Sequence, residues 1–221
     1  MQVAIPIYEG FTALDAIGPY DVLQNVPGTE VVFCAPETGI HRTENGQLGV
    51  LADLALDEVT EPDVVVVPGG LGNRRWLNGP NPYTDWLSAV HETTTWTTSV
   101  CTGSLMLAAA GLLEGVDAAT HWAARDALAE LGANPVAERV VERGKIVTAA
   151  GVSSGIDMAL RLVERMHGET AAQAVQLAIE YDPDPPHDTG SLEKAPPEIS
   201  AAVRSVMETK DAAVAERLGI A

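Results

Sequence analysis

Cys101 is the residue whose surroundings most favour chemistry. It lies in Thr98-Ser99-Val100-Cys101-Thr102-Gly103-Ser104, where an extended run stops, one residue turns and an Ala/Leu helix begins. That layout is a nucleophile elbow, although the residues are not the Gly-x-Ser-x-Gly form. A cysteine there meets a helix N-terminus and its unpaired N–H groups, which favour the thiolate. The plain alternative is an inert packing cysteine, and Cys34, at the end of Val31-Val32-Phe33, reads that way. Gly69-Gly70 follows the run Asp63-Val64-Val65-Val66-Val67-Pro68. Two glycines at a strand end leave N–H groups free for an oxyanion-type hole, or simply make a strand-to-helix turn. Asp15 stands among Leu14, Ala16 and Ile17. Burial there would raise its pKa and keep it protonated as a proton donor; taken alone, it reads first as a helix N-cap.

The histidines add less. His121, before Trp122, follows a short β-like run and reads as a structural histidine first and a pocket residue second. Trp122 is the best pocket wall among the four tryptophans. His41, His91, His167 and His187 read as surface residues. No HxxxH or CxxC spacing occurs, so no metal site is expected. The glycines make neither a Walker nor a dinucleotide fingerprint.

These residues need a frame. Val3–Ile7, Glu30–Cys34, Asp63–Pro68 and Thr94–Val100 read as strands. The four consecutive valines of Val64–Val67 suit a strand buried on both faces, as in a parallel sheet. Helices are expected over Leu14–Val26, Pro82–His91, Gly103–Leu113, Trp122–Leu131, Ser153–Met166, Thr170–Tyr181 and Ile199–Leu218. Glu138–Glu142 and Lys145–Ala149 flank Arg143-Gly144 as a hairpin. The β-α-β order means an α/β fold with a mostly parallel sheet and helices on both faces. In such folds the working site lies at the C-terminal strand ends, where Cys101, Gly69-Gly70 and Asp15 all fall. One domain over residues 1–221 is the reading, extended by a Pro-rich loop (182–197) and the helix 199–218.

Composition narrows the function classes. The 221 residues hold 31 acidic and 13 basic side chains, net −18, with lysine only at 145, 194 and 210. That balance argues against nucleic acid and against an anionic membrane surface. Acidity spread along the whole chain fits a proteome adapted to high salt, or an ordinary acidic cytosolic protein. The N-terminus lacks the pattern of a signal peptide and no apolar run reaches a membrane span, so the expectation is a cytoplasmic protein.

Together these motifs resemble the DJ-1/PfpI superfamily, and within it the isonitrile (isocyanide) hydratase branch. The likeness is carried by Leu14-Asp15-Ala16-Ile17-Gly18-Pro19, Val67-Pro68-Gly69-Gly70, Ser99-Val100-Cys101-Thr102-Gly103-Ser104, Thr120-His121-Trp122 and Gly155-Ile156-Asp157-Met158. It runs from about residue 3 to 197. The resemblance implies a flavodoxin-like three-layer sandwich, a homodimer, a small-molecule substrate and no cofactor. It implies that Cys101 attacks the terminal carbon of R–N≡C, that Asp15 hydrogen-bonds the cysteine and handles the proton, and that Thr102 contributes to the site. Water then releases an N-substituted formamide. Peptidase-like relatives carry His where Thr102 stands, which argues against a protease. Related regulators place a helix-turn-helix module after this domain, and none follows here, so a DNA-binding regulator is not expected. Two other readings stay open: a glyoxalase or deglycase acting on 2-oxoaldehydes, and a non-enzymatic sensor in which Cys101 is oxidised.

Overall fold

The computed structural model describes residues 1–220. In chain order the strands are β1 (Gln2–Pro6), β2 (Glu30–Ala35), β3 (Gly39–Arg42), β4 (Gly49–Ala52), β5 (Leu54–Ala55), β6 (Val64–Val67), β7 (Trp96–Val100), β8 (Asp117–Ala118), β9 (Asn134–Pro135), β10 (Val140–Arg143) and β11 (Ile146–Ala149). The helices are α1 (Ala13–Leu23), α2 (Pro82–His91), α3 (Gly103–Ala109), α4 (Arg125–Glu130), α5 (Ser154–His167), α6 (Glu169–Ala178) and α7 (Pro197–Leu218). Seven strands make one sheet in the order β10-β11-β7-β6-β1-β2-β5. All its pairings are parallel except β10 with β11. The four valines of β6 are fully buried, as their continuous run requires of a strand covered on both faces.

Strand order explains where a site must form. From β1 the chain crosses through α1 to β2 on one side; later β6 leads through α2 to β7 on the other. Right-handed crossovers running in opposite directions put their helices on opposite faces of the sheet. Consistent with this, α1 packs on α5 and α5 on α6, while α2 packs on α3 and α3 on α4. The order reverses between β1 and β6, so the loops leaving these strands part and open a crevice beyond their C-terminal ends. Those loops carry Tyr8–Asp15 and Pro68–Gly70, and β7 beside them delivers Cys101.

Several boundaries differ from the sequence expectation, each for a visible reason. The helix expected to Leu113 stops at Ala109, and the chain leaves it through Gly111 at φ 79°. The helix expected over 122–131 divides into a 3-10 turn at Trp122–Ala124 and α4. The β3–β4 hairpin and the short strands β5, β8 and β9 had no strong sequence signal. In β3 and β4, Ile40 and Leu51 face solvent, so the alternation that marks a half-buried strand is missing. By contrast α2 falls on Pro82–His91 as expected, with Asn81 capping it through Tyr83 and Thr84 N–H and proline at its first position. Among the described residues no helix is long and apolar enough to cross a membrane.

Candidate active site

Cys101 is the first of two residues that make the elbow between β7 and α3. Its φ is 58°, in the left-handed region that a residue with a side chain rarely occupies. Four hydrogen bonds hold it there. Its N–H donates to Ala149 O (3.1 Å) and Ala150 O (2.7 Å), beyond the end of β11. Its carbonyl accepts from Ser104 Oγ (3.2 Å) and Thr120 Oγ1 (3.1 Å). Such over-determination is what a strained conformation needs in order to persist. Gly103 completes the elbow, because any Cβ at this position would stand inside the carbonyl of Val67. The result is a thiol at the strand end that is 6% exposed.

Asp15 meets that thiol from α1. Thr12 is the residue preceding the helix, so Asp15 is not the N-cap; it lies in the first turn, fully buried, beside the Cys101 thiol. Its Oδ2 accepts from Gly69 N–H at 2.9 Å, whereas Oδ1 is buried without a hydrogen-bond partner. Burial raises the carboxyl pKa to about 8, against the lowering effect of the Gly69 N–H and the Cys101 thiol. Asp15 is therefore a neutral acid at neutral pH, as a proton donor must be.

The thiol corrects one expectation. Helix α3 has only seven residues, and its N-terminus does not make Cys101 a resting thiolate. Burial pushes the thiol pKa well up, and the neighbouring Asp15 pushes the same way. The backbone N–H groups of Thr102 and Val152 act on the sulfur in the opposite sense and favour its charged form. The pair thus rests as a neutral acid beside a neutral thiol, with two N–H groups set to receive negative charge once it develops.

The glycines serve differently from a free oxyanion hole. Gly69 N–H is taken by Asp15, and Gly70 N–H donates to Thr102 Oγ1 at 2.9 Å. The N–H groups directed at the sulfur come from Thr102 and Val152 instead. What Gly69 does require is the lack of a side chain: a Cβ there would lie 2.6 Å from Thr102 N and 2.8 Å from Asp15 Oδ2. Gly70, at φ 133°, lets this loop run against Gly10 and Phe11. Thr102 is fixed on both sides, by Gly70 N–H at its hydroxyl and by Asn73 Nδ2 at its carbonyl (2.8 Å).

His121 and Trp122 are placed at the border. His121 lies against Gly151 in the segment that supplies Val152, and burial lowers its pKa. Its Nδ1 accepts from Ala123 N–H at 3.3 Å. Trp122 stacks under the Arg204 guanidinium of α7, 4.7 Å from the ring centre. Cys101, Asp15, Thr102, Gly69 and Gly70 therefore converge; His121 reaches only the Gly151 segment, and Trp122 packs on His121 and Arg204 instead.

Sequence reasoning missed Val152, Asn73 and Tyr8. Tyr8 is buried and donates to Pro68 O at 2.8 Å, which anchors the loop carrying Gly69. Val152 had a usable signal, since it follows the β11 strand end, and strand ends line the site in this fold class. Asn73 lies in an irregular 3-10 segment with nothing in its neighbours to mark it.

The chain is 39% identical to the isonitrile hydratase of Pseudomonas putida over 196 residues, covering 89% of this chain and 85% of that protein. It superposes on the crystal structure of a THiJ/PfpI family protein from Pseudomonas syringae with a TM-score of 0.88 at 34% identity, covering 97% and 90% of the two chains. The HTH-type transcriptional regulator GbdR of Pseudomonas aeruginosa is 30% identical over 138 residues, which is 61% of this chain but 37% of the regulator. The model of the DJ-1/PfpI family matches residues 1–165, and the chain belongs to that family.

Proposed function

We propose that this chain is a cysteine-dependent hydratase that converts isonitriles to N-substituted formamides, with Cys101 as nucleophile and Asp15 as proton donor and acceptor. The observation that carries the reading is a fully buried carboxylic acid, kept neutral by that burial, beside a buried thiol at an elbow. The terminal carbon of R–N≡C resists a nucleophile until it is protonated. Asp15 supplies that proton to carbon, Cys101 sulfur bonds to the same carbon, and the thiol proton returns to Asp15. The adduct is the thioimidate R–N=CH–S-Cys101. Water then adds to its carbon, the C–S bond breaks and the sulfur takes back a proton. The product is R–NH–CHO, so one water is consumed and the enzyme is regenerated. The N–H groups of Thr102 and Val152 steady the charge that passes through sulfur.

Similarity to the Pseudomonas putida isonitrile hydratase over most of both chains supports the same reading. The homodimer, the cytoplasmic location and the single-domain organisation belong to this proposal. A peroxide sensor fits less well, because oxidation proceeds through the thiolate and burial disfavours it here.

The test is formamide formation from cyclohexyl or p-nitrophenyl isocyanide, by wild type and Cys101→Ala, at low and molar salt. Turnover by the wild type that the variant loses is the expected result. Folded wild-type protein with no turnover at either salt level would overturn the reading.

A further inference from the structure

Glu44 stands beside the site without entering its hydrogen-bonded centre. It lies in the turn between β3 and β4, and its backbone N–H donates to Phe11 O at 3.2 Å. Its Oε1 accepts from Leu71 N–H at 3.2 Å, directly after Gly69-Gly70. Its Oε2 pairs with Lys210 Nζ of α7 at 3.1 Å. Glu44 is thereby tied to both segments that frame Asp15, to one through its backbone N–H and to the other through its carboxylate. A cavity of about 170 Å³ sits here, lined by Phe11, Ala13, Thr43, Glu44, Asn45 and Lys210.

The charge of Glu44 reaches the site. It raises the pKa of Asp15, Cys101 and Tyr8, and it acts on His121 in the direction that favours the imidazolium. Its ionic partner Lys210 is more than half exposed, so water and salt weaken that compensation. Arg217 does not neutralise the carboxylate; it donates to the backbone carbonyls of Thr43 and Glu44 and pairs with Glu9. An anion entering a cleft with low-dielectric walls feels such a charge more strongly than it would in bulk water.

We propose that Glu44, tempered by Lys210, is a specificity residue that makes the site accept neutral or cationic electrophiles and reject those bearing a carboxylate. This rests on reading Cys101 as the nucleophile of that site. It does not rest on isonitriles being the substrate. The same filter would pass methyl isocyanoacetate over isocyanoacetate, or methylglyoxal over glyoxylate.

The experiment compares alkylation of Cys101 by neutral iodoacetamide and anionic iodoacetate at pH 7.5, followed by intact mass and peptide mapping. The ratio of the two rates is divided by the same ratio for glutathione, which removes the reagents' intrinsic difference. Wild type should exceed unity. Glu44→Gln should lower the ratio by about threefold or more and Lys210→Ala should raise it by about twofold, the size of one unit charge acting through partly hydrated protein. Molar salt should pull the wild-type ratio toward that of Glu44→Gln. A ratio unchanged in folded Glu44→Gln overturns the filter. Should that variant misfold, an unchanged ratio in Lys210→Ala, altered only at an exposed position, overturns it alone. Alkylation requires no turnover, so a shifted ratio without formamide formation would sink the hydratase reading and leave the filter standing.

Discussion

Two buried cysteines lie at the ends of two parallel strands of one sheet, and only one of them is equipped for chemistry. Cys34 is the penultimate residue of β2, in ordinary extended backbone, paired with Pro6 in register and with its carbonyl accepting from Ile7 N–H at 2.8 Å. Burial alone acts on its thiol and pushes the pKa to about 12. Cys101 is buried too, yet its backbone is forced to a positive φ, its sulfur faces Thr102 and Val152 N–H, and Asp15 lies beside it. Burial therefore does not distinguish an inert thiol from a working one. The distinction lies in what accompanies the burial: amide dipoles aimed at the sulfur and an acid able to exchange its proton.

The hardest test of that contrast is activity after removing each thiol. Cys101→Ala should lower formamide formation by about a thousandfold or more. Cys34→Ala should leave it within about twofold while costing about 1–2 kcal/mol of stability from the small cavity it opens, measured by urea unfolding. Equal losses from both variants would mean that Cys101 serves only as packing.

A subtler test uses Asp15. The unfolded carboxyl titrates near about 3.9, whereas the folded one titrates near 8. Between those values the native state holds one more proton than the unfolded chain. Stability associated with this group is therefore complete below about pH 4 and drains away as pH rises through about 8. Asp15→Asn removes the titration. It should slow turnover by about a hundredfold and yet stabilise the fold by about 5 kcal/mol at pH 8, with little gain at pH 4. Unfolding at the two pH values, beside kinetics, reads both effects. A variant that is destabilised equally at both would show that the acid is held there for packing.

The smallest effect probes the elbow's backbone. Cys101→Gly should be more stable than Cys101→Ala by about 1 kcal/mol, because glycine alone adopts φ 58° without cost. Thermal melts of the two variants decide it, and equal stability would mean the elbow is not strained.

How much of this could be read from the chain follows the same division. The β6 valines and the strand leading to Cys101 announce themselves through local composition, and so does the elbow. Asp15 was visible as an acid in apolar company. That rule fails for Glu44, which sits in a polar turn, and for Val152, which contributes an N–H that any residue but proline would offer. Their roles come from the strand order, which brings residues 15, 69, 101 and 152 together from four separate connections. The thiolate expected at Cys101 was misjudged for a related reason. A helix N-terminus is legible in sequence, but the burial that outweighs it depends on everything packed around the sulfur.

The clash that forbids any side chain at Gly103 has a consequence for how such a site diversifies. The elbow cannot drift, because the Val67 carbonyl fills the only place a substituent would go, and Gly69 is closed in by Thr102 and Asp15 in the same way. In a library randomised across this region, positions 69 and 103 should return glycine almost alone, while positions 44 and 102 should return many survivors with altered appetites. New trades for this scaffold are then found by exchanging tools on a bench that is bolted down.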